Sequence, residues 1–461
     1  MRLPVLIIGG GLSGLAAAVR ISRFGQRVLL VEQHTRPGGL NSWFFRNKTL
    51  FETGLHAITN FAEPENKHAP LNRLLRQLKV KRSEIEFCPQ LGSKILFENC
   101  ATLCFSNDFN LFETEINEKF PGAIDKVRNL LTFLQKFDAF APAPFRSARA
   151  FLDEIFAEPL LTEMLLCPLM YYGSSNENDM DLAQFAIMFR AIFLEGMFRP
   201  QGSIKDFIDL LLRHIQENGG EIRTSCGVQN IAQHKGYATA VLENGEEIEC
   251  DYILSTIGSQ ETEALLQRNN GARDDTPRLS FVENIFQLPY EALPAGAQGT
   301  TIIFFNRGEK FHYQRPQNSI DPRSGVICFP SGFKGVAKRE LVEIRTTHLA
   351  ATEKWERLAM VPEAYQQEKK RCSGLSCSTA ESLIGDFAHA VTFRDMFTPL
   401  TIKRYTGKID GAIYGHPNKI KDGNIGLSNI FLAGTDQGFL GIVGSMLSGV
   451  SIVNQHILPR L

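Results

Sequence analysis

Apolar residues fall into runs of different period along the chain, and each period predicts an element. Pro4-Val5-Leu6-Ile7-Ile8 is short and unbroken, as in a buried strand, and Leu15-Ala16-Ala17-Ala18 beyond a glycine-rich turn opens a helix. Gln26 to Glu32 repeats the strand pattern and ends in an acid. Thr49 to Ile58 reads as a strand interrupted at Gly54. Helical spacing follows: Leu71, Leu74, Leu75 and Leu78 predict an amphipathic helix to about Lys81. Phe112 to Phe140 and Phe151 to Phe198 are also helical in period, with a break at Ala141-Pro142-Ala143-Pro144. Between these helices, Phe87 to Phe105 is strand-like. Gln201-Gly202-Ser203 opens a helix from Ile204 to about Asn218, and Gly219-Gly220 closes it. Strands are predicted at 221–224, 227–231, 238–243 and 250–258, with Asn244-Gly245 as a hairpin turn. The aromatic run Thr301 to Phe305 adds another strand, and the charged stretch Glu340 to Lys370 predicts a helix. Asn429 to Asp436 forms a last strand, followed by a glycine-rich helix from Ile442 to about His456.

The first of these runs carries chemistry. Gly9, Gly11 and Gly14 stand at the G-x-G-x-x-G positions between a strand and a helix. They permit a tight turn, close approach of a pyrophosphate and close helix–strand packing, with the anion at the helix N-terminus. Glu32 ends the next strand about 20 residues on, where a carboxylate accepts the hydroxyls of an adenosine ribose. The pattern predicts a dinucleotide site. Pro37-Gly38-Gly39 marks a loop approaching the same cofactor. Gly434-Thr435-Asp436 and the helix from Ile442 bring a second strand–glycine–helix unit to it. His56, two positions past Gly54, is a candidate for the active site; a structural histidine is the alternative.

The composition narrows the class. The chain has 461 residues, 43% hydrophobic and 21% charged, enough for more than one domain. A formal net charge of −1 gives no field for nucleic acid. Phe dominates the aromatics, with 34 against 9 Tyr and 2 Trp, which suits a dry core or an apolar tunnel. The 9 cysteines show neither C-x-x-C nor zinc spacing, so neither a metal site nor a disulfide framework is expected. The dinucleotide motif begins almost at Met1, leaving no room for a signal peptide, and no unbroken apolar run reaches membrane-spanning length. A reduced, cytoplasmic location follows. The helices of 151–198, flanked by Arg146, Arg149 and Arg190, predict core packing; their second reading is a surface that dips into a membrane.

Together, Gly9 to Glu32, Arg36-Pro37-Gly38-Gly39, Thr256-Ile257-Gly258 and Leu432 to Asp436 with its helix resemble the flavin-dependent amine oxidase/phytoene desaturase superfamily. Gly54-Leu55-His56, Phe198 to Ser203 and Gly411-Ala412-Ile413-Tyr414-Gly415 look like its carotenoid desaturase, carotenoid isomerase and retinol saturase branch. The resemblance implies an α/β fold: a discontinuous, Rossmann-like FAD-binding domain of the GR2 type (1–65, 201–270 and 405–461) with an inserted α+β substrate domain (66–200 and 271–404). It implies FAD held through Gly9, Gly11, Leu12, Ser13, Gly14, Glu32, Gln33, Gly38, Gly39, Leu40, Thr256, Gly258 and Gly434. It also implies Val228 near the adenine, Asp436 toward the ribityl–phosphate part, and Ile442, Val443 and Gly444 near the pyrimidine edge. Leu40-Asn41 stands where many relatives carry Arg. No Cys or His occurs from Gly434 to Gly441, so the flavin is expected to be noncovalent.

The implied activity is redox change or isomerisation at carbon–carbon double bonds of a lipophilic isoprenoid or polyene. A single G-x-G-x-x-G leaves no place for a second nicotinamide domain, so oxygen or a quinone is the expected electron acceptor of a desaturase. His56, Glu195, Tyr405, Tyr414 and His416 are candidates for the substrate side of the flavin, with His56 and Tyr414 named as catalytic. Two other classes compete: an amine or protoporphyrinogen-type oxidase, and a flavin-free binder of prenylated proteins of the GDP-dissociation-inhibitor type.

Overall fold

The computed structural model describes residues 2–54, 56–141, 143–268 and 278–461. Leu55 and Pro142, which belong to two of the motifs above, and the domain boundary at 270/271 lie outside the described residues.

The apolar run at the start of the chain forms strand Leu3–Ile8, buried at the centre of a seven-stranded sheet. On one side lie Val28–Val31 and then Glu221–Arg223, all parallel. On the other side lies Glu247–Ser255, also parallel. Its far edge is shared by the hairpin strand Tyr237–Leu242 and by Ile430–Leu432. Val228–His234 completes the antiparallel hairpin side. Helix Leu12–Ser22 lies against this sheet between helices Ile204–Glu217 and Gly441–Ile452. Its near-total burial explains its Ala-rich composition: small side chains let three helices meet. The closest meeting is at Gly449, where a Cβ would stand 2.1 Å from the Ser13 carbonyl oxygen.

A second seven-stranded sheet runs Phe393–Phe397, Ser280–Pro289, Leu341–Ala350, Ser324–Cys328, Ile302–Arg307, Ser93–Glu98, Ala101–Phe105. The apolar helices Phe109–Lys119, Ile124–Lys136, Ala148–Phe156, Pro159–Gly173 and Leu182–Phe189 belong to the core that covers it. Leu161, Met164, Leu165, Phe185, Phe189 and Phe193 are all buried, which is the core-packing outcome. Arg149 pairs with Glu163 and Arg190 donates to the Phe137 carbonyl.

Three sequence expectations are corrected. Residues 341–350 are a strand, not the start of a charged helix. Val342, Ile344, Thr346 and Thr347 are β-branched, and the charges that suggested a solvated face, Glu343 and Arg345, are paired inside the protein. The helical stretch 151–198 ends at Leu194, and Met197–Pro200 is a strand pairing with Ile58–Thr59 and Phe87–Pro89. The helical stretch 112–140 is also split, because Pro121 starts a new turn between Phe109–Lys119 and Ile124–Lys136. The helical segment Gly441–Arg460 is long and apolar enough by composition to cross a membrane, but half of that window is buried against the rest of the chain.

Replacing Gly449 with Val forces the last helix away from Ser13. The Gly449→Val protein should lose about 1–3 kcal/mol, read as a lower denaturant midpoint.

Candidate functional site

The turn between Leu3–Ile8 and Leu12–Ser22 is shaped by contacts that tolerate no side chain. A Cβ on Gly14 would lie 2.0 Å from the Gly9 carbonyl oxygen, and one on Gly9 would lie 2.6 Å from Thr256 Oγ1. The Thr256 hydroxyl donates to the carbonyls of Ile8 and Gly9. Gly38, at φ +119, donates its N–H to the Gly10 carbonyl and thereby docks the second glycine loop on the first. Glu32 is buried and accepts from the Gly10 and His34 amides at 2.7 and 2.8 Å.

Gly11 differs from these. A Cβ there would meet nothing within 4 Å, although the residue caps a helix and borders Gly39. Beside it, the hydroxyls of Ser13 and Thr435 are buried without a hydrogen-bond partner among the described residues. Open space at a helix N-terminus and two orphaned hydroxyls fit the phosphates and sugar of a dinucleotide.

A cavity of about 790 Å³ extends from this cradle. Glu32, Gly39, Leu40, Thr435 and Ile442 line it, followed by Gly54, His56, Thr59 and Ser445. Beyond them it is walled by Tyr171, Tyr172, Phe281, Val326, Ile413 and Tyr414. Leu12, Gly14 and Val443 lie behind the wall, buried between the helices and the sheet. Gly444 lies one turn into the last helix, behind Ile442. Val228 lies on the sheet two residues beyond Cys226, whose amide donates to the Glu32 carbonyl. Gln33 is exposed, alongside Gly407.

Asp436 does not face open space. Its Oδ2 accepts from the amide and hydroxyl of Ser259, and its Oδ1 accepts from the His416 amide. Burial raises this carboxyl, but Lys408 and Lys419 together with the Ser259 bonds outweigh it and hold the group well below its ordinary range. Burial lowers Lys419 to about 8. Asp436 therefore ties three loops together: the turn at Gly258, the turn at Gly434 and the 411–416 segment.

The candidates for the substrate side separate. His56 and Tyr414 face the cavity. The Tyr414 hydroxyl donates to the Tyr171 carbonyl, and burial pushes its phenol well above its ordinary value. Tyr405 is at the rim, half-exposed and edge-on to His34. His416 acts through its backbone on Asp436. Glu195 lies outside the cavity wall, bonded to Asn60 at 2.7 Å, and burial raises it to about 7. The sequence reading missed Glu283, Thr347, Tyr171 and Tyr172. Glu283 was detectable as the one charged residue within Ser280–Pro289, an otherwise uncharged strand. A buried pair also joins strand Thr49–Glu52 to the Phe198 to Ser203 motif: Arg199 donates to Glu52 at 2.8 Å, and the same carboxylate accepts the Ile204 amide at 2.6 Å.

The family described as flavin containing amine oxidoreductase matches residues 12–364. The human all-trans-retinol 13,14-reductase is 26% identical over 298 residues, covering 56% of this chain and 47% of its own length. The chain thus spans about half the length of that relative. The chloroplastic prolycopene isomerase of Arabidopsis thaliana is 21% identical over 472 residues, covering 92% of this chain and 76% of its own length. An oxidoreductase from Methanosarcina mazei shares the fold, with a TM-score of 0.69 at 16% identity over 98% of this chain and 100% of that one.

Gly11 and Gly14 should separate cofactor from fold. Gly11→Val should leave the apoprotein within about 0.5 kcal/mol of wild type while FAD binding, followed by fluorescence quenching, weakens at least about tenfold. Gly14→Ala should destabilise the apoprotein itself by about 1–3 kcal/mol.

Glu195 sets a pH dependence. Its ordinary value is 4.5 and its folded value is about 7, so between them the folded protein keeps a proton that the unfolded chain releases. Stability therefore falls as pH rises from 4.5 to 7 and stays lower above that. Glu195→Gln should be more stable than wild type at pH 8, on the order of 1–3 kcal/mol, and equal to it near pH 4.5 by urea unfolding.

Proposed function

Because the chain belongs to the flavin containing amine oxidoreductase family, we propose that it uses noncovalent FAD to change carbon–carbon double bonds of a lipophilic isoprenoid or polyene. The supporting observation is the continuity of the cavity, which runs from a dinucleotide cradle into a chamber of Tyr171, Tyr172, Phe281, Val326 and Ile413. Such walls recognise a long chain by shape and burial, at roughly 0.8 kcal/mol per CH₂. The relatives named for retinol and prolycopene act on molecules of that kind.

In this reading Glu32 holds the adenosine ribose, and the amides after Gly11 with the Ser13 hydroxyl hold the pyrophosphate. Gly38, Gly39, Leu40, Thr256, Gly258 and Gly434 shape the backbone around it, and Asp436 fixes those turns. The N-terminus of the last helix, at Ile442, Val443 and Gly444, faces the pyrimidine edge. When bound, the flavin accepts or returns a hydride. The aromatic chamber excludes water from that step, and Tyr414 is locked by its bond to Tyr171. The FAD domain comprises 1–65, 201–270 and 405–461, and the rest forms the substrate domain. Oxygen or a quinone takes the electrons in the desaturating direction. Phe140 and Phe145, more than half exposed and beside Arg146, are the surface that would touch a membrane.

The test uses anaerobic holoenzyme, as isolated and after dithionite reduction. Prolycopene, all-trans-retinol and putrescine are each added, and the flavin spectrum and product mass are followed. A polyene should change mass or geometry and putrescine should not bleach the flavin. Bleaching by putrescine with both polyenes inert would assign the chain to amine oxidation instead. Acid precipitation should release the yellow chromophore, and colour retained on the polypeptide would refute noncovalent binding.

A further inference from the structure

A polar constellation opens into the chamber beside Tyr171, Tyr172, Phe281, Val326 and Ile413. Strands Ser280–Pro289 and Leu341–Ala350 pair antiparallel, with Glu283 opposite Thr347 and Ile285 opposite Arg345. Odd-numbered positions of both strands therefore share one face, which brings Glu283, Glu343, Arg345 and Thr347 together. Arg345 is 1% exposed and is held by two carboxylates, Glu283 at 3.1 Å and Glu343 at 2.8 Å. The second oxygen of Glu283 lies 3.1 Å from His56 Nε2. Thr347 Oγ1 is 3.4 Å from the same nitrogen.

Two acids face one guanidinium, so surplus negative charge lies beside His56. Burial would raise the Glu283 carboxyl, but His56 and Arg345 hold it below its ordinary value. A carboxylate only accepts, so Nε2 must carry a hydrogen. Nδ1 is then where the ring can gain or lose a proton, and it has no hydrogen-bond partner among the described residues. The other charged or titratable groups near this array are Glu52, Arg199, Cys328 and Tyr172.

We propose that Glu283 is a positioning residue that fixes the tautomer of His56, and that His56 exchanges a proton with the substrate at Nδ1. In the saturating direction reduced flavin, when bound, would supply a hydride to one carbon of the double bond. Its neighbour would gain the proton from Nδ1, C=C would become CH–CH, and the imidazolium would become neutral. Desaturation would be the reverse, with the hydride accepted by oxidised flavin. The proton step rests on the polyene reading above; the tautomer assignment does not.

The test combines a spectrum with turnover. In holoenzyme labelled with ¹⁵N-histidine, His56 is assigned by its absence from the His56→Gln protein. The wild type should show hydrogen on Nε2, and Glu283→Gln should mix the tautomers. Glu283→Asp keeps the charge one methylene further back and should lie between; it also serves if the glutamine variant fails to fold. An unchanged His56 signal in the variant that folds overturns the positioning role. With all-trans-retinol and prolycopene as probes, His56→Gln should keep flavin content and melting temperature and lose about 100-fold or more in rate. Glu283→Gln should lose roughly tenfold, partly regained in Glu283→Asp. Wild-type turnover by His56→Gln overturns the proton transfer. A wild type inert toward both polyenes overturns the polyene reading and the proton step built on it, while the tautomer spectra still decide Glu283.

Discussion

Backbone touching backbone is the constraint on which the rest depends. The carbonyl oxygen of Gly9 lies where a Gly14 side chain would be, and the Ser13 carbonyl oxygen lies where a Gly449 side chain would be. The first helix can reach the end of its strand, and the last helix can reach the first, only because nothing protrudes at these positions. That approach sets the helix N-terminus over the cradle and brings residues from both ends of the sequence to one cavity.

The cradle was legible in the sequence because its signals are local. Gly9, Gly11, Gly14 and Glu32 lie within one strand–helix–strand unit, and their spacing reflects the geometry of a single turn. His56 was legible through its place after Gly54. Its partner was not, because Glu283 reaches His56 only through the pairing of two strands and the packing of that sheet on the cradle. The strand at 341–350 was misread for the same reason. Charge at Glu343 and Arg345 signals solvent in a single sequence, whereas here the two groups solvate each other and Glu283 inside the protein. Asp436 was recognised by its motif, but its ties to Ser259 and the His416 amide depend on loops far away in sequence.

The cavity wall has two origins. Its cradle end comes from the first sheet and its glycine turns, where a side chain on Gly9 or Gly14 would stand under 3 Å from its neighbours. Its far end comes from Tyr171 and Tyr172 on a buried helix and from Phe281, Glu283, Val326 and Thr347 on the second sheet. Those are side chains on a scaffold, and they can change without disturbing the turn. The split joins a fixed backbone cradle to a replaceable side-chain wall.

Ile430–Leu432 pairs with Glu247–Ser255, and Gly441–Ile452 covers Leu12–Ser22. Seen during synthesis, this means that the first glycine turn leaves the ribosome more than four hundred residues before the helix that closes over it. The apolar face of Leu12–Ser22 stays uncovered for that interval, and the loop that must close is nearly the whole chain. Closure over the glycine turn is therefore a late event of folding, and a nascent chain that stalls before residue 430 leaves that apolar helix face uncovered.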